Sequence, residues 1–144
     1  MPVGFSFPRL GIETATVRAV GVEPNGELEV PPESEVGWYR YSPRPGEAGS
    51  SVLAGHVAYN GRDGAFRYLD QVEIGDRFEV SFADSTTRQF VVSEMAQYDK
   101  TELPNERIFG RDGAAEVALI TCGGTFDYGA RSYEDNIVVY GRPV

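Results

Sequence analysis

The chain of 144 residues has one cysteine and one histidine. The single cysteine excludes an intramolecular disulfide and any multi-cysteine zinc or iron–sulfur site, and the single histidine excludes a histidine-rich metal site. Long apolar runs are missing too, since no window approaches the roughly 20 residues that a membrane-spanning helix needs. The N-terminus, Met1-Pro2-Val3-Gly4-Phe5-Ser6-Phe7-Pro8, has neither the basic flank nor the apolar stretch of a secretion signal. As written the chain reads as soluble, without an address label. Positive charge is scarce: 13 Lys and Arg stand against 22 Asp and Glu, a net charge of −9, and basic residues occur only singly. Such a surface repels phosphate backbones, so no nucleic-acid partner is expected. Acidic residues are scattered as well, which predicts a solvated surface and no metal. Apolar residues spaced by three and four never persist over a dozen positions, so no long helix is expected.

Aromatic and β-branched residues run through the whole length, punctuated by 17 glycines and 9 prolines. That pattern excludes disorder and predicts many short strands. Thr14–Val20 reads as a strand closed by the turn Pro24-Asn25-Gly26, and Glu27–Val30 as another ended by Pro31-Pro32. Ser51–Ala54 is a short apolar strand. Arg77–Phe82 and Thr87–Val92 alternate cleanly about Ala83-Asp84-Ser85-Thr86, which predicts a hairpin. Glu116–Thr121 and Asn136–Tyr140 read as strands buried on at least one face. Short helical turns are expected at Ala65–Leu69 and near Asn105–Phe109. One domain over residues 1–144, mostly β and either a closed barrel or a sandwich, is the expectation.

Two residues could carry nucleophilic chemistry. A lone cysteine is most often a small buried hydrophobe, but Cys122 ends the apolar run Val117–Thr121 and is followed at once by Gly123-Gly124. Glycines there permit a sharp turn and close approach of another chain. His56 has the same setting, after Val52-Leu53-Ala54-Gly55 and ahead of the polar stretch through Tyr59-Asn60-Gly61. Alone it would pass for an ordinary loop histidine. Brought together, thiol and imidazole are the minimum apparatus of thiol catalysis. Arg131 is the one cation between Cys122 and the final strand, and a guanidinium suits an oxyanion or a substrate carbonyl better than an ammonium does.

The blocks Val52-Leu53-Ala54-Gly55-His56 and Leu119-Ile120-Thr121-Cys122, with Arg131 nine positions after the cysteine, occur in the order found in sortases. The chain resembles that family of Gram-positive cell-surface cysteine transpeptidases from about Arg9 to Val139. Gly37-Trp38-Tyr39, Pro45-Gly46, Gly64-Ala65-Phe66, Cys122-Gly123-Gly124, Phe126-Asp127 and Tyr133-Glu134-Asp135-Asn136 are most similar to actinobacterial class F, with class E second. Two positions depart from the pattern. Ala118 stands where many sortases have threonine, and Glu134 where class F members often have arginine. Arg131 is then the candidate for the arginine role, since Arg142 is expected beyond the last strand.

The resemblance implies a closed barrel of about eight strands with short helices and no cofactor. It implies catalytic His56, Cys122 and Arg131, with Thr121, Gly123 and Tyr98 binding substrate. The implied reaction cleaves a Leu-Pro-x-Thr-Gly-like sorting signal at Thr–Gly and passes it to an amine of cell wall or pilin. The implied setting is a monomer at the extracellular face of the plasma membrane, held by an N-terminal anchor absent from this chain. Residues Met95–Gly113 are expected to form groove wall rather than core. Two other readings stay open. A catalytically silent β-barrel interaction module would have the same composition. An L,D-transpeptidase-like enzyme would share the order of histidine and cysteine, but Leu119-Ile120-Thr121 before the cysteine disfavours it.

Overall fold

The computed structural model describes residues 1–21, 35–56, 58–59, 62–99, 104–110, 113–122, 126–127, 132–133 and 135–144. Glycine and proline divide the chain into extended segments: β1 (Pro2–Phe7), β2 (Ile12–Val20), β3 (Val36–Tyr39), β4 (Ser50–His56), β5 (Ala58–Tyr59), β6 (Arg62–Asp63), β7 (Arg77–Phe82), β8 (Thr87–Asp99), β9 (Glu116–Cys122), β10 (Phe126–Asp127), β11 (Ser132–Tyr133) and β12 (Asp135–Pro143). Eight of them close into a barrel in the order β1-β2-β3-β4-β9-β12-β8-β7, with β7 returning to β1. Neighbours are antiparallel except β2 with β3 and β4 with β9, which run parallel. β5–β6 and β10–β11 form two small ladders of their own.

The expected mostly-β closed barrel is therefore present, and most of its strands match the sequence pattern. The β7–β8 hairpin turns through the anticipated four residues, with Phe82 N–H on Thr86 O at 2.8 Å. Asp84 stabilises the turn by accepting from the Thr86 amide at 3.0 Å and the Thr86 hydroxyl at 2.6 Å. Both expected helical turns occur. Residues 65–68 form turns that lead into a single 3-10 turn (Leu69–Gln71), and α1 (Asn105–Ile108) is one helical turn. Glu27–Val30 and its turn lie outside the described residues.

Three features depart from the sequence reading. β1 and β3 are barrel strands although Pro2, Gly4 and Gly37 punctuate them; Pro2 is tolerated because it opens its strand. β8 does not stop at Val92 but pairs with β12 through Asp99, so Met95–Asp99 is barrel rather than loop. β12 runs to Pro143, which puts Arg142 inside the strand and not beyond it.

The barrel interior is aromatic. Phe78 stacks on Phe7 at 5.5 Å and on Phe90 at 5.3 Å, while Phe5 contacts Phe78 at 5.7 Å and Phe66 edge-on at 5.6 Å. Val17, Val36, Trp38, Leu53, Val117 and Leu119 fill the rest. A second apolar layer lies on the outer face of β4, β9 and β12, where Val52, Ala118, Ile120, Val138 and Tyr140 are covered by Ile108 of α1. β9 is thus apolar on both faces, as parallel strands tend to be. Gly141 is required where it stands, since a Cβ there would lie 2.7 Å from the Phe78 ring. Phe78→Ala should cost about 3–5 kcal/mol of unfolding free energy, which urea denaturation followed by tryptophan fluorescence would measure.

Candidate active site

The parallel ladder of β4 and β9 runs in register from Ser50 opposite Glu116 to His56 opposite Cys122. Adjacent strands lie about 4.8 Å apart, so the only imidazole and the only thiol of the chain belong to residues on one rung, the last. The expected juxtaposition of His56 and Cys122 follows from strand register alone. His56 is half-buried.

Residues 64–66 wrap back over the end of β4. The Phe66 amide donates to the His56 carbonyl at 3.0 Å, and the Arg67 amide to the Gly64 carbonyl at 3.2 Å. Phe66 is fully buried, its ring over Gly55, where a Cβ would stand 3.0 Å from the ring. A Cβ on Gly64 would lie 2.0 Å from the His56 carbonyl oxygen. The run Gly64-Ala65-Phe66 thereby acquires a physical reason: it is a tight clasp on the backbone of His56.

On the other side of β9 the ladder with β12 ends at Ile120 opposite Val138. One residue on, the Thr121 hydroxyl accepts the Ile137 amide at 2.8 Å, and the Asn136 carboxamide donates to the Thr121 carbonyl. Thr121, expected to bind substrate, is only 1% exposed; its hydroxyl serves the strand end. Tyr98 is half-buried beside the outer apolar layer, with its hydroxyl 3.4 Å from that of Tyr140. Arg131 and Gly123 lie outside the described residues; Ser132, next to Arg131, pairs with Asp127.

The sequence reading overlooked a charged clamp at the far end of the same ladder. Arg107 of α1 donates to both carboxylate oxygens of Glu94 at 2.9 and 3.0 Å, lies 3.5 Å from Glu116, and covers the Tyr140 ring at 3.6 Å. Its hydrogen bond holds the Glu94 carboxyl below the usual carboxylate range, and Arg107 itself is raised. The Tyr140 phenol is pushed up, first by burial and then by Tyr98. Residues 104–110 are therefore not only groove wall, because Ile108 is fully buried in the outer layer. The nearest signal in the sequence was an apolar residue following an arginine in an otherwise polar stretch. A cavity of about 450 Å³ beside this clamp, lined by Ser50, Glu106, Arg107, Glu116 and Arg142, opens at the start of the ladder, away from the His56–Cys122 rung. Among the described residues no group of His, Cys, Asp and Glu could hold a metal ion.

Residues 6–144 match the family described as Sortase domain. No curated protein matches the chain. Among solved structures, the SrtA sortase from Actinomyces oris is similar with TM-score 0.74 at 20% identity, covering 100% of this chain and 80% of that one. Sortase C1 from Streptococcus agalactiae gives 0.72 at 22% identity over 99% of this chain and 66% of its own. Sortase A from Corynebacterium diphtheriae gives 0.70 at 18% identity over 98% and 59%. The chain thus spans just under two thirds of the streptococcal protein. At these identities the likeness establishes the fold.

Two outcomes test this geometry. Gly64→Ala should destabilise by at least the about 1–3 kcal/mol of an overpacked site, because its Cβ collides with backbone rather than with a movable side chain; thermal melting reads the loss. Arg107→Met should lower stability at neutral pH by about 1 kcal/mol, the scale of one exposed ion pair plus a cation–π contact. Glu94 has a depressed folded pKa, so its contribution is present above the ordinary glutamate range and lost as pH falls through the folded value. The difference in melting temperature between wild type and Arg107→Met should therefore shrink from pH 7 towards pH 3.

Proposed function

The chain belongs to the sortase family of cysteine transpeptidases, and on that premise we propose that it cleaves a Leu-Pro-x-Thr-Gly-like sorting signal between Thr and Gly and transfers the acyl part to an amine. The observation that carries this reading is the pairing of His56 with Cys122 on the last rung of β4 and β9. Cys122 attacks the threonine carbonyl, His56 protonates the departing glycine amine, and a thioacyl enzyme remains. An incoming amine of cell wall or pilin, deprotonated by His56, attacks that thioester and releases Cys122. Arg131 holds the carbonyl oxygen as negative charge gathers there. Tyr98 and Gly123 are assigned to the peptide groove, while the inward-facing Thr121 is assigned to the strand end. We read residues 1–144 as one catalytic domain of class F type, with class E second, acting as a monomer at the outer face of the plasma membrane. No helix among the described residues is long and apolar enough to cross a membrane, and the location rests on the family.

A screen of sorting-signal peptides with Cys122→Ala as the blank tests the reaction. Cys122→Ala should abolish the thioacyl enzyme in mass spectra and leave the melting curve nearly unchanged. His56→Ala should lose about 10²–10⁴ in rate. Arg131→Ala should lose about 10²–10³ in kcat, with Arg131→Lys recovering part of it because it keeps the charge without the planar fork. Normal turnover by the Cys122 or His56 variant contradicts the mechanism. A wild-type thiol that resists alkylation, with no turnover of any peptide, favours a silent interaction module instead.

A further inference from the structure

β9 keeps its two neighbours for unequal lengths. Its ladder with β4 includes Cys122, but its ladder with β12 ends at Ile120 opposite Val138. Where the next antiparallel rung would join Thr121 to Ile137, side chains take over from backbone. The Thr121 hydroxyl accepts the Ile137 amide at 2.8 Å and donates to the Ile137 carbonyl at 3.5 Å, and the Thr121 carbonyl accepts from Asn136 Nδ2. A hydroxyl set between two main chains is a spacer, and it parts β9 from β12 one residue before the cysteine. β12 does not follow β9 outward, because it stays paired with β8 down to Asp135 opposite Asp99. Asn136, which pairs with Tyr98 on β8, therefore reaches across the gap from a strand anchored on its other side.

The bond it makes falls on a particular group. The Thr121 carbonyl and the Cys122 amide belong to one planar trans peptide unit and point to opposite sides of it. With the carbonyl tied towards β12, the Cys122 amide is directed away from β12, and the unit cannot rotate about its Cα–Cα axis without breaking the Asn136 bond. We propose that Asn136 is a positioning residue for the nucleophile: its carboxamide fixes the Thr121–Cys122 peptide plane, and thereby the orientation of the Cys122 backbone at the end of β9. The proposal rests on the reading of Cys122 as the nucleophile. An amide is needed, since an aspartate would set a carboxylate oxygen against the carbonyl oxygen.

The test compares wild type, Asn136→Ala and Asn136→Asp, at a temperature below every melting transition, with the best peptide from the screen. A misplacement of about 1 Å at a reacting group costs about 10²-fold, so kcat should fall by about that factor in both variants while KM for the peptide changes little. Asn136→Asp is nearly isosteric and keeps the test in hand if the alanine variant fails to fold. Because Cys122 is the only cysteine, the pH profile of alkylation by iodoacetamide reports on this thiol alone, and its midpoint should differ between wild type and both variants. A lowered melting temperature with wild-type kcat and an unchanged alkylation midpoint would mean that Asn136 only supports the fold, and overturns the proposal alone. A wild type that turns over no peptide overturns the transpeptidase reading and this proposal with it.

Discussion

The arrangement depends on the parallel pairing of β4 with β9. Residues distant in sequence meet there, and the meeting is set by register, in which a slip of one residue would turn every side chain of β9 to the opposite face. Both faces of β9 resist that slip. Val117 and Leu119 fit the barrel interior, while Ala118 and Ile120 fit the outer layer under α1. Backbone bonds outside the ladder fasten its start: Glu116 N–H to Gly49 O at 3.0 Å, Gly49 N–H to Gly113 O at 3.1 Å and Ser50 N–H to Gly110 O at 2.7 Å. With the first rung and both faces determined, the sixth residue beyond Ser50 and the sixth beyond Glu116 must face each other. These are His56 and Cys122.

Ala118 also gains a reason in this frame. It pairs with Tyr140, whose fully buried ring lies beneath the Arg107 guanidinium. A small residue opposite a large one lets the layer close under Ile108. The departure from the usual threonine is then a local packing solution in the outer layer, removed from the rung that carries the cysteine.

Much of the barrel was legible because its central strands announce themselves by period and composition. Arg77–Phe82 and Thr87–Val92 alternate, and Glu116–Thr121 is continuously apolar because β9 is buried on both faces. What escaped was order imposed by neighbours. The polar run Ser93–Asp99 has no strand period of its own and becomes strand because β12 lies alongside it. β3 is four residues long and contains a glycine, too short to show any pattern. At the site, the two end-of-strand residues could be read from single-copy side chains next to glycine. The Asn136 carboxamide and the Arg107 clamp could not, since each acts through a partner far away in sequence.

The two ends of the β4–β9 ladder are held by different means, and the difference suits the role proposed for Cys122. At the Glu116 end, backbone bonds, a buried isoleucine and a bidentate ion pair over an aromatic ring all act together. A change there spreads over many contacts and appears as stability. At the Cys122 end the ladder to β4 continues, but the ladder to β12 has already parted, and on that side the Thr121 hydroxyl and the Asn136 carboxamide bridge the two strands. Side-chain bonds are set by residue identity, whereas backbone ladders are nearly indifferent to it. The fold thus fixes where the cysteine stands through backbone pairing that is nearly indifferent to residue identity, and leaves the β12 side of its peptide plane to two residues that single substitutions can alter. A barrel with backbone bonds between β9 and β12 along their whole length would be more regular, but it would take the β12 side of the Thr121–Cys122 peptide out of the control of side chains.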